Sequence, residues 1–244
     1  MNYKITLTYD GHNYYGWAVQ PNKPSVQASI SQAFQKAFKI TDEIKVIGSG
    51  RTDRYVHALE QVCNVQHEAL TYPAHVILKA VNAFLPEDIR ILDVQVVDQD
   101  FHAQYMAVNK TYVYVINKTY NIYERHYAYY DEALIWDQVQ FEQFKDLFLG
   151  THDFLSYSTS ELDQTVRTIT DISFTETTKK IKIYVSGNGF LKNMVRMIVG
   201  SLLKLMQGKT DLKTLQTFLE KPHKGQAQAI VPGCGLYLAR VNYK

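Results

Sequence analysis

Residues 44–66, IKVIGSGRTDRYVHALEQVCNVQ, join two apolar runs through a connection dense in glycine and charge. Ile44 to Ile47 reads as a short buried strand entering Gly48-Ser49-Gly50-Arg51-Thr52-Asp53, and Val62 to Gln66 reads as the strand that leaves it. The two glycines permit a tight turn or a close backbone approach to a ligand. Arg51, two residues before Asp53, favours the ionised form of that carboxylate, which can then act as a nucleophile. The stretch is not a Walker loop, because GxxxxGK[ST] is absent, and not a dinucleotide fingerprint, because Asp53 stands at the third glycine position. On these residues alone two readings stay open: a loop-borne nucleophile, or an aspartate that closes a turn and pairs with Arg51 at the surface.

Outward from this loop, the elements alternate. Tyr3, Ile5, Leu7 and Tyr9 interleave with Lys4, Thr6 and Thr8, the period-two pattern of a half-buried strand. Val26, Ile30, Phe34, Ala37 and Phe38 recur at helical spacing behind Ser25, a good N-cap. A helix over 76–84, a strand over 89–97 and a β-rich run over 111–116 follow. The second half predicts a helix near 141–149, strands at 169–174 and 181–185, helices at 191–207 and 211–219, and a final strand at 236–241. This pattern predicts an α+β protein of two halves, 1–105 and 106–244, with mainly antiparallel sheets and an active-site cleft between them.

Composition sets weaker limits. A chain of 244 residues with 46% hydrophobic residues can bury one large core or two small ones. No apolar run is long enough to span a membrane and no leader-like segment opens the chain, so the expectation is a soluble cytoplasmic protein. Cys63 and Cys234 are the only cysteines, which excludes a disulfide framework and a CxxC zinc site and predicts buried thiols. His57, His102 and His152 fall in no metal-binding pattern, so no catalytic metal is expected. The formal charge is +2, but residues 179–224 hold ten Lys or Arg against Asp211 and Glu220, a local surplus that can attract polyphosphate.

The segment GRTDRYVHA at 50–58 resembles the catalytic signature GRTDxGVHA of the tRNA pseudouridine synthase A (TruA) family. Other blocks match in order: YDGHNYYGW at 9–17 with QPNKPSVQ at 20–27, NAFLPEDIRI at 82–91, FHAQYMAVNKTYVY at 101–114, THDFLSY at 151–157 with RTI at 167–169, GNGFLKNMVRMIVGSLL at 187–203, and CGLYLARVNY at 234–243. The resemblance implies a homodimeric, cofactor-free isomerase that converts uridine to pseudouridine at positions 38 to 40 of the tRNA anticodon stem-loop. It implies that Asp53 is the nucleophile, attacking either C1′ of the sugar or C6 of the base. Tyr112 is then expected to stack on the uracil and assist proton removal at C5. Arg196 is expected near the catalytic carboxylate, Leu236 against the base, and Arg51 in the space left by the extruded nucleotide. Thr52 and Lys192 complete the expected substrate-binding set. Lys192 acts there with Gly187-Asn188-Gly189, whose amides lead into the long helix and can hold a phosphate.

The sequence departs from the family pattern at Arg54 and Tyr55, which replace a small Ala-Gly pair beside the nucleophile, and at GWAVQ, where the family often has glutamine directly after GW. If that glycine takes a backbone angle disfavoured for tyrosine, the loop must differ or carry strain. Two alternatives are therefore a paralogue that modifies another RNA site and one that binds structured RNA without turnover. A two-carboxylate glycosidase is disfavoured, since no second candidate stands near Asp53.

Overall fold

The computed structural model describes residues 1–159, 161 and 164–244. In chain order its elements are β1 (Asn2–Tyr9), α1 (Val26–Phe38), β2 (Val46–Gly48), β3 (His57–Gln66), α2 (Ala74–Asn82), β4 (Ile89–Val97), β5 (Ala107–Asn117), β6 (Tyr129–Tyr130), α3 (Gln138–Phe148), β7 (Gly150–Asp153), β8 (Val166–Glu176), β9 (Lys180–Gly187), α4 (Met194–Met206), α5 (Leu212–Glu220) and β10 (Leu236–Tyr243). They form two compact units: unit 1 comprises residues 1–108 and 237–244, and unit 2 residues 109–236. The first boundary lies close to the expected one, but the closing strand falls in unit 1, whereas the sequence division placed it in the second half. The reason is pairing: Tyr237 and Leu238 of β10 lie in parallel register with His57 and Ala58 of β3.

In unit 1 the strand order is β4-β1-β3-β10, with β2 added on β3. Tyr3, Ile5, Leu7 and Tyr9 of β1 are all buried, as their alternation predicts, and Val26, Ile30 and Phe34 of α1 are buried at helical spacing. The Ser25 hydroxyl accepts the Ala28 amide and caps α1. β3 starts five residues before the expected Val62. Between Leu7↔Gln61 and Tyr9↔Ala58 the register shifts by one residue, a bulge that turns Leu59 outward and breaks the alternation.

Unit 2 carries the order β5-β9-β8-β7, all antiparallel, with β6 parallel to the end of β5. Helix α4 is buried at every position except Arg196 and Lys204, which marks it as an interior helix. It begins at Met194, not at Leu191 as expected, because residues 191–193 form a turn whose Leu191 carbonyl accepts the Met194 amide. Mainly antiparallel strands with helices, in two units, are the α+β class that the sequence predicts. Among the described residues no helix is long and apolar enough to cross a membrane.

Candidate active site

The loop between β2 and β3 is fixed from both ends. At its start the Ser49 amide donates to the Val62 carbonyl at 2.7 Å, and the Ser49 hydroxyl donates to Gln61 Oε1 at 2.6 Å. Gln61 Nε2 in turn donates to the Gly50 carbonyl at 3.1 Å. Ser49 and Gln61 are fully buried, so these bonds satisfy polar groups that burial would otherwise penalise.

The middle of the loop is held by residues 9–17. The Trp17 amide donates to the Thr52 carbonyl at 3.1 Å, and the Tyr9 hydroxyl lies 2.8 Å from Thr52 Oγ1. Burial pushes the Tyr9 hydroxyl well above the ordinary tyrosine range, so it stays protonated and available as a donor. Gly16 sits at φ +99°, and a β-carbon there would stand 2.5 Å from the Thr52 carbonyl oxygen. Only glycine combines that backbone angle with that approach. At the far end the Gly11 amide lies 3.1 Å from His57 Nδ1, which is also 3.1 Å from Asp10 Oδ1.

Asp53 is half-buried where this clamped loop turns. The Val56 amide donates to the Asp53 carbonyl at 3.2 Å, closing a four-residue turn over Asp53, Arg54, Tyr55 and Val56. Tyr55, the third residue, has φ +67°. Position i+2 of a turn with positive φ is a glycine position, which accounts for the family's Gly there. This chain keeps the left-handed conformation and carries about 1–3 kcal/mol of strain for placing a tyrosine in it.

Arg51 departs from expectation. It is exposed, and among the described residues its guanidinium makes no hydrogen bond or ion pair, so it gives Asp53 no direct ion-pair support. The carbonyls on either side of it are taken by Gln61, at Gly50, and by Trp17, at Thr52. Thr52, expected to touch substrate, is buried with its hydroxyl engaged by Tyr9, a contact that braces the loop.

In unit 2, Tyr112 on β5 is buried and meets Phe190 edge-to-face, with ring centroids 5.3 Å apart. Lys110 lies two residues earlier on the same strand face. Burial pushes its ammonium below the ordinary lysine range, with the charge of Arg167 adding to the effect. Arg196 donates through Nε to the Val231 carbonyl at 2.7 Å and through Nη1 to Asn193 Oδ1 at 2.8 Å. It thereby ties the start of α4 to the segment leading into β10. The Tyr114 hydroxyl donates to the Pro232 carbonyl at 3.0 Å, and a β-carbon on Gly235 would stand 2.8 Å from the Tyr114 ring. Leu236, at the end of this segment, is buried.

The phosphate site expected at the start of α4 loses donors. The Asn188 amide is spent on the Thr168 carbonyl at 3.1 Å, and the Met194 amide on Leu191. Lys192 remains exposed. The basic surplus of 179–224 is partly neutralised as well, since Lys180 pairs with Glu124 at 2.7 Å and Lys224 with Glu161 at 2.8 Å. Sequence reading did not single out Tyr9, Gly16, Gln61 or Lys110. Lys110 was within reach, because strand alternation puts it on the face of Tyr112, but the braces act between separate elements, with Tyr9 43 residues from Thr52 and Gln61 11 residues from Gly50, and leave no local pattern.

Comparison with known proteins gives the family of the chain. The family model described as tRNA pseudouridine synthase matches residues 5–106 and 146–244, which include the aspartate loop, Arg196 and Leu236. A tRNA pseudouridine synthase A of Ureaplasma parvum serovar 3 (strain ATCC 27815 / 27 / NCTC 11736) is 48% identical over 244 residues, all of this chain and all of that protein. The protein of the same name from Ureaplasma urealyticum serovar 10 is 46% identical with the same full coverage. That from Bacillus subtilis (strain 168) is 39% identical over 247 residues, 100% of this chain and 99% of its own length. With full-length identity of this order and a family match that spans the clamped GRTD loop, the chain belongs to the tRNA pseudouridine synthase family.

Proposed function

We propose that this protein, an RNA uridine isomerase by its family, forms pseudouridine at positions 38 to 40 of the tRNA anticodon stem-loop with Asp53 as nucleophile. It works without a cofactor, as a cytoplasmic homodimer. The observation that carries this reading is the clamp on the aspartate loop: Tyr9, Gly16, Trp17 and Gln61 hold Gly50 and Thr52 ahead of Asp53, and the Tyr55 amide donates to the Tyr14 carbonyl at 3.5 Å beyond it. A nucleophile held in place before substrate arrives loses little freedom at the transition state.

The reaction conserves atoms. The carboxylate of Asp53 attacks the nucleotide, the N1–C1′ bond breaks, the uracil rotates, a C5–C1′ bond forms, and the bond to Asp53 breaks to return the free carboxylate. A proton leaves C5 and N1 gains one. Tyr112 stacks on the uracil and assists the loss at C5, Arg196 supplies positive charge to the reacting nucleotide, and Leu236 packs against the base. Extruding a stacked uridine costs a few kcal/mol, which stacking and backbone contacts from Arg51 and Lys192 help offset.

Three tRNA transcripts, each keeping a single uridine at 38, 39 or 40, test the target. Pseudouridine found by mass spectrometry of nuclease fragments at these positions is the expected result. Arg54 and Tyr55 beside the nucleophile favour a second reading, another RNA site or binding without turnover. Modification mapped elsewhere, or RNA binding with no product, replaces the first reading with this one.

A further inference from the structure

The left-handed Tyr55 anchors an array that none of the proposed roles uses. Its ring stacks on His12, with centroids 6.0 Å apart and planes 27° from parallel. The Arg54 guanidinium carbon lies 4.3 Å from the Tyr55 ring centroid and 4.2 Å from that of Tyr15. Lys23 Nζ lies 4.7 Å from the same Tyr15 ring. All five residues belong to unit 1.

Two rings therefore hold the Arg54 guanidinium by its π surface. Arg54 is exposed, and among the described residues its N–H groups make no hydrogen bond or ion pair. Stacking pre-orients a guanidinium while leaving its donor edge open, and that edge matches the two oxygens of a phosphate. Lys23 adds a second cation at the same array. Cations interleaved with aromatic rings on a surface are the composition of a single-stranded nucleic-acid contact.

The position decides the occupant. Arg54 directly follows the nucleophile, and the rings that hold its guanidinium belong to Tyr55 in the same turn and to Tyr15 in the 9–17 segment that clamps the loop, so RNA bound at Asp53 passes beside this array. We infer that Arg54, oriented by Tyr15 and Tyr55, binds a backbone phosphodiester flanking the target uridine. The contact is a substrate-positioning one built by the two residues that depart from the family's Ala-Gly pair. This rests on the reading of the loop as the catalytic one, and the test below keeps the two apart.

Full-length native protein, Arg54→Ala, Arg54→Lys and the double variant Arg54→Ala/Tyr55→Gly are titrated with an unmodified tRNA transcript at several salt concentrations. The binding readout needs no turnover, so it reports on Arg54 whether or not pseudouridine forms; product from the native protein is scored separately for the catalytic reading. Thermal melts confirm folding, and the glycine of the double variant relieves the left-handed strain. The expected result is a roughly tenfold weaker Kd for Arg54→Ala and for the double variant. The slope of log affinity against log salt falls by about 0.7, one single-strand phosphate contact. Arg54→Lys keeps the slope and loses part of the affinity, since it retains charge without the planar fork. An unchanged Kd overturns the proposal, and so does a weaker Kd with an unchanged slope, which would reduce Arg54 to a packing residue.

Discussion

Residues 48–56 of unit 1 and residues 187–193 of unit 2 are both glycine-bearing connections that deliver a proposed site residue, and they are held by different kinds of partner. The first is gripped by side chains and backbone from residues 9–17 and by Gln61. The second prolongs a strand ladder: the Asn188 amide donates to the Thr168 carbonyl, and Asn188 Oδ1 accepts the Thr168 amide at 3.0 Å. A ladder is redundant, because neighbouring rungs persist when one is lost. A clamp built from single contacts across the sequence is not, so damage in unit 1 reaches Asp53 directly while similar damage in unit 2 is shared along β8 and β9.

The largest effect that this contrast predicts is at Gly16. Gly16→Ala forces a β-carbon to 2.5 Å from the Thr52 carbonyl at φ +99°, combining overpacking with backbone strain for about 2–6 kcal/mol. Urea denaturation reads the loss, and pseudouridine formation falls further than stability alone explains.

Gly187→Ala is the matching change in unit 2. Its β-carbon would lie 2.6 Å from the Thr168 carbonyl, but no positive φ is involved, so the expected cost is about 1–3 kcal/mol. Activity should follow the folded fraction in a temperature series. If Gly187→Ala proves as damaging to turnover as Gly16→Ala, the contrast between clamp and ladder is lost.

The smallest effect belongs to Tyr9→Phe, which deletes only the hydroxyl 2.8 Å from Thr52 Oγ1. Stability should drop by roughly 0.5–1.5 kcal/mol. The informative measurement is single-turnover rate at saturating tRNA, where a decline larger than the stability loss shows that the bond positions Asp53.

Elements whose side chains alternate or recur locally were legible in the sequence. β4 runs over 89–97 as its pattern predicts, and Ser25 caps α1. Patterns failed where tertiary pairing decided the outcome. His57 and Ala58 join β3 because β10 and β1 flank them, despite a bulge that disrupts alternation, and Gly150–Asp153 has no apolar alternation yet forms β7 on β8. Asp53 and its loop stood out by residue type, whereas their braces did not, since Tyr9, Gly16 and Gln61 look like ordinary strand and turn residues until the chain folds. The Arg51 pairing was inferred from spacing, but two residues apart in a turn does not fix the direction of a long side chain.

Pseudouridine formation on an unmodified tRNA transcript with uridines at 38 to 40, compared between native protein and Asp53→Ala, addresses the central claim most directly. The account predicts product from the native protein and none above background from Asp53→Ala, with the variant still folded and still binding the transcript. Product formed by Asp53→Ala at a rate near that of the native protein would contradict the assignment of the nucleophile.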